Sequence, residues 1–174
     1  MLHKSISGDD YPLAFDPKKS GLKSHYAYLK TLADFAEDTN SEFQFFLQTM
    51  SITTYAYGNG ARRPDVTDLR FLHYGIATFG VCGFQHFCYK TPGLPPYDGE
   101  FKEQDYALID EYDQKTSIYF AAQKVIAEMQ DFAKIRFAFD WKNVIFSVGE
   151  KTENPDMFNA CENAWKNFGK IIEV

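Results

Sequence analysis

Residues 81–90 read VCGFQHFCYK and bring Cys82, His86 and Cys88 within seven positions. These are the residue types that bind zinc or supply a reactive thiolate. On a helix, Cys82 and His86 share a face, whereas Cys88 lies about 200° round from His86 and points away. A structural zinc needs four ligands in closed geometry, and the other candidates, His3, His25 and Cys161, are scattered along the chain. The cluster is therefore expected to be the end of a buried helix, with core thiols and a satisfied histidine, and with no metal or cofactor. Catalytic motifs are missing too: there is no GxSxG, HExxH or P-loop. GNGAR at 58–62 lacks the third glycine and the preceding strand of a dinucleotide fingerprint. No catalytic residue is assigned, and an enzyme or cofactor carrier using His73, His86 and Cys82 stands as the alternative.

A second stretch has more to offer. Residues 97–113, YDGEFKEQDYALIDEYD, hold seven carboxylates (Asp98, Glu100, Glu103, Asp105, Asp110, Glu111 and Asp113) against the single Lys102. Their net charge of −6 equals that of the whole chain, so the remaining residues balance. Tyr97, Tyr106 and Tyr112 are interleaved with them. Carboxylates steer a cationic partner and aromatics anchor it, so this segment is the expected docking surface for a basic protein. A solvated acidic helix face is the plainer reading of the same residues.

The totals limit the classes. At 174 residues, 45% apolar and 24% charged, the chain fits one globular domain with a core of its own. A net charge of −6 argues against direct nucleic-acid binding through phosphate neutralisation. Three cysteines make no disulfide framework, and the first 15 residues lack the apolar core of a signal peptide, which points to a cytoplasmic protein. Nineteen residues between Arg70 and Lys90 carry no formal charge. Their histidines, Gln85 and glycines nevertheless suit a helix buried in protein better than one in a membrane.

The elements expected to position these groups are mostly helical. After an irregular arm over 1–15, Leu22, Tyr26, Leu29, Ala33 and Ala36 recur with helical period as far as EDTN. Ser41 and Gln44 form a capping box before a second helix through Phe43, Phe46, Leu47 and Met50. Asp65 and Asp68 cap a central helix, apolar all round, that runs from Leu69 to Phe87. A long helical stripe from Leu108 to Ala133 admits a break at Thr116-Ser117. Residues 135–149 read as a short helix capped by Asp140, with a hairpin as the alternative, and Asn154-Pro155 opens a last helix bearing Trp165. The expected fold is mainly α: one domain, 1–174, of about five helices around a buried central one, with at most one small β-hairpin near 135–148.

In this character (small, acidic, aromatic-rich and empty of catalytic motifs) the chain looks like bacterial toxin-immunity proteins. The resemblance is of the whole chain and not of a motif, so no residue is carried over. It implies a stoichiometric inhibitor that masks a basic partner such as a nuclease toxin. Phage-encoded inhibitors of nucleic-acid-targeting defence systems share the same profile.

Overall fold

A computed structural model describes residues 4–14, 21–52, 60–92 and 106–138. The chain divides into two units, Met1–Trp141 and Lys142–Val174, and every described residue belongs to the first. Within it the order is β1 (Ser5–Asp9), α1 (Leu22–Thr39), β2 (Glu42–Gln48), α2 (Val66–Thr78), β3 (Gly83–Phe87) and α3 (Ser117–Arg136). The three strands form one sheet in the order β1-β2-β3, parallel at both pairings. The fold is α/β, and the expected mainly-α bundle of about five helices is overturned.

The correction turns on period. In EFQFFLQ the buried residues are Phe43, Phe45 and Leu47, at alternate positions, and Gln48 at the end of the strand. Phe43, Phe46, Leu47 and Met50 also fit a helical period, and a run of seven residues does not decide between the two. Alternation wins because β2 lies between two neighbours, where aromatic side chains pack well on a pleated surface. The expected helix from Leu69 to Phe87 is likewise two elements. Asp65 caps α2 with a full capping box to Asp68, but the helix stops at Thr78 and Gly80 turns the chain at φ 83°. A side chain rarely adopts that conformation. Beyond it, GFQHF is a strand.

The register puts Ile6, Gly8, Phe43, Phe45, Leu47, Phe84 and His86 on one face of the sheet. Both crossover helices cover that face. His25 and Tyr28 of α1 pack against the Phe45 ring, and His73 of α2 packs against Phe84 and His86. Right-handed crossovers require this when strand order follows chain order. Gly8 permits close approach of α1, since a Cβ there would meet Leu32 Cδ1 at 2.3 Å. Ser5, Ser7, Asp9, Glu42 and Gln85, on the opposite face, are exposed. The arm expected over 1–15 thus contains an edge strand.

Helix α3 begins at Ser117 with Thr116 as its N-cap residue, so the helical stripe expected from Leu108 starts only there. It packs on α2 through Leu69, Ala77, Ile118, Ala122 and Val125, and Arg70 forks onto Glu128 at 2.8 and 2.6 Å. Residues 106–116 are not helical. They form turns and isolated bridges, with Ile109 joined to both Lys90 and Lys115. Ile135 and Arg136, the expected start of the short helix or hairpin, are the end of α3, and the rest of that stretch past residue 138 and the last helix around Trp165 lie outside the described residues.

Candidate functional site

The cluster that opened the sequence reading is taken apart by the strand. Cys82 precedes β3 and donates its thiol proton to the Phe43 carbonyl at 3.2 Å. Cys88 follows β3 and contacts the Lys90 carbonyl at 3.1 Å and Met50 Sδ at 3.4 Å. Burial, helped by Glu42, raises the Cys82 pKa, and burial pushes that of Cys88 to about 11. Both are therefore neutral thiols at physiological pH and poor nucleophiles.

His86 turns the other way and meets His73. The His73 Nδ1 lies 2.6 Å from the Leu69 carbonyl, which can only accept, so this nitrogen carries the proton and Nε2 is an acceptor. The 3.0 Å contact between the two Nε2 atoms is then a bond donated by His86. The ring centroids stand 5.2 Å apart, close to the longest separation that such a contact allows. No group of three or more His, Cys, Asp or Glu suited to a metal comes together among the described residues. Desolvation lowers both histidines to about 4, with the charge of His73 as a further cause at His86. The pair is a neutral pin between α2 and β3.

Ligands of open parallel sheets usually sit beyond the carboxyl ends of the strands. Here backbone occupies that edge. The Gln48 side chain, fully buried, accepts from the Leu13 amide and donates to the Met50 and Arg62 carbonyls. Ala61 bridges both Ala14 and Ile52. Arg62 forks onto Asp68 at 2.6 and 2.7 Å, and Arg63 lies over the Tyr106 ring at 5.0 Å, so both arginines are committed within the fold. Burial alone would raise the Asp68 pKa, but the hydrogen bonds from Arg62 and from the Asp65 amide hold it below its usual value. Sequence reasoning missed one pair at this edge: His25 is buried, with its Nδ1 2.9 Å from Asp10 Oδ2. Two residues 15 apart carry no local signal that would join them.

Of the acidic segment, Tyr97, Asp98, Glu100, Glu103 and Asp105 lie outside the described residues. Tyr106, Asp110, Glu111, Tyr112 and Asp113 are described, and they do different things. Asp110 builds a turn: its Oδ1 accepts from the amides of Tyr112 at 3.0 Å and Gln114 at 2.7 Å. The Asp110 amide donates to the Gln114 carbonyl at 2.9 Å, and Gln114 Nε2 donates to the Tyr112 carbonyl at 3.1 Å. Asp113 takes the left-handed conformation at φ 64° and pairs with Lys90 at 2.5 Å. Aspartate tolerates that conformation better than most residues.

This lock holds Tyr112 outward at 70% exposure. Tyr89, 64% exposed, precedes the lysine that pins the turn, and its carbonyl accepts from the Ile109 amide at 2.8 Å. Glu111 presents a further oddity. Its Oε2 is shielded from solvent and has no hydrogen-bond partner, the one such side-chain atom among the described residues. A shielded carboxylate oxygen without a donor among the described residues is costly.

Compared with protein-family models, the chain matches none, and no curated protein matches it either.

Proposed function

We propose that the protein is a stoichiometric inhibitor that captures a basic protein partner, of the nuclease-toxin kind, through the Tyr112 turn and the acidic segment around it. The observation that carries this reading is the locked turn itself. Ordering the backbone beneath an exposed aromatic side chain buries little for the fold, whereas a turn ordered before binding loses less entropy when it docks. Tyrosine is among the residues that dominate binding energy at interfaces. Glu111 adds a carboxylate beside the exposed Tyr112, which favours a cationic partner. The −6 charge of residues 97–113 favours the same class and would speed its encounter.

The turn also changes which carboxylates make sound probes. Asp110 and Asp113 hold the scaffold, so reversing their charge would unmake the anchor rather than test it. Glu111 and Tyr112 are the residues to change. The alternative reading, an enzyme or cofactor carrier built on His73, His86 and Cys82, draws less support, since both His73 nitrogens, His86 Nε2 and the Cys82 thiol already have partners within the chain.

The experiment is affinity capture from the host of origin with the parent, Tyr112→Ala and Glu111→Gln chains, followed by an activity assay of the captured protein. The reading expects a basic protein retained by the parent, weakened in both variants, and inhibited at a one-to-one ratio. An acidic or nucleic-acid partner, or capture indifferent to both substitutions, overturns it.

A further inference from the structure

We propose that a cavity between α2, β3 and α3 is a binding site for a small uncharged aromatic molecule of one or two fused rings. Its volume is about 240 Å3. The α2–α3 pair is tightly packed where Ile118, Ala122 and Val125 meet Leu69 and Ala77, and the space opens toward the C-terminal end of α3. Ile126, Met129 and Phe132 of α3 face Ile76, Val81 and Phe84 across it. It is a partly open pocket, with exposed Gln130 and Phe137 at its outer side.

Its polar groups determine what can enter. His73 lines the cavity, yet both of its ring nitrogens are used, one on the Leu69 carbonyl and one by His86. Cys82 stands exposed at the rim with its thiol directed to the Phe43 carbonyl. Gln130 is exposed on the outer side, and Arg136 has a partner of its own besides lying 5.8 Å from the Phe137 ring centroid. A water molecule needs two to four polar partners to be held, and this wall leaves few unused. A charged ligand would find only Gln130 and the already partnered Arg136 to replace its hydration. An apolar one would gain contact with aromatic and aliphatic side chains at no polar cost. A cavity of roughly 150 Å3 with comparable walls already takes a benzene ring, so 240 Å3 suits indole or naphthalene. This site is independent of the tyrosine turn, and neither proposal depends on the other.

The test uses the full chain titrated with indole and naphthalene, with binding followed by ligand-observed NMR. Indole-3-acetate serves as the charged control. Saturable binding of both neutral probes, mutual competition and at least about tenfold weaker binding of the anion are expected. Ala133→Phe, which fills the cavity from α3, should weaken indole binding by about tenfold or more in a chain that still melts cooperatively. If that variant fails to fold, alkylation of Cys82 in the parent, read by peptide mass spectrometry, gives a second measure: saturating indole should slow it. No saturable binding to the folded parent, an anion that binds as well as indole, or Cys82 alkylation unaltered by indole in the absence of the variant would overturn the proposal.

Discussion

Tyr112 and Asp110 are two residues apart and have opposite parts in the same turn. Tyr112 is largely in water and touches little of the fold, so Tyr112→Ala should move stability by no more than about 0.5 kcal/mol. Asp110→Ala removes the acceptor of two turn amides and should lower the melting temperature measurably, by an amount comparable to losing a cap, roughly 1 kcal/mol. Thermal melts of the two variants check this, and equal melting would show that the turn is not locked by Asp110. The sequence named both residues as parts of one acidic surface but gave no means of separating scaffold from anchor. That difference resides in the backbone amides that Asp110 accepts from and in the Lys90 that holds Asp113, and both are contacts made by the folded chain. His73 and His86 make a second test at this scale. Both pKa values fall from about 6.5 unfolded to about 4 folded, so the unfolded chain binds more protons. Stability is therefore full above pH 6.5 and is lost as pH falls toward 4. The loss by pH 4.5 is roughly 2–3 kcal/mol for a single histidine so shifted, and the coupled pair does not simply double it. Chemical denaturation across that range should show the fall, and His73→Leu with His86→Phe should flatten it.

Among the elements, helices were easier to read than strands. The stripe Leu22 to Ala36 and the Asp65 cap stood out because eighteen and thirteen residues give a helical period time to declare itself. Strands of five to seven residues gave it none. β1 was hidden further, since SISGD presents Ser5, Ser7 and Asp9 to solvent and carries a glycine where the packed residue belongs. That glycine is where α1 comes closest to the sheet. Gly8→Ala places a methyl group against Leu32 and Phe45 and should cost about 1–3 kcal/mol through overpacking. Leu32→Ala in the same chain should recover part of that loss, although Leu32→Ala alone destabilises. A double-mutant cycle in denaturant measures the coupling, and strict additivity would show that the close approach is not there.

At the largest scale, the sheet positions the features of the described residues. Among the described residues, Gln48 and the Ala14, Ile52 and Ala61 bridges occupy the carboxyl edge that commonly binds ligands in parallel folds. The accessible features are displaced onto the Tyr89–Tyr112 corner and the space beneath α3. No helix of the described residues is long and apolar enough to cross a membrane, and the charge-free stretch 71–89 is the end of α2 and a strand. Charge is the molecular property most exposed to experiment. If the surplus at 97–113 steers a basic partner, its association rate should fall steeply between low salt and physiological ionic strength, where exposed charges are screened beyond about 8 Å. The dissociation rate should change little over the same range.

The most direct measurement is the dissociation rate of the captured partner from the parent and from Tyr112→Ala, at one salt concentration and with both chains shown to be folded by their melts. Removal of a rigid aromatic anchor should speed dissociation by roughly 30-fold, equivalent to about 2 kcal/mol, with the association rate nearly unaltered. A folded Tyr112→Ala chain that releases the partner no faster than the parent would contradict the assignment of the locked turn as the docking surface.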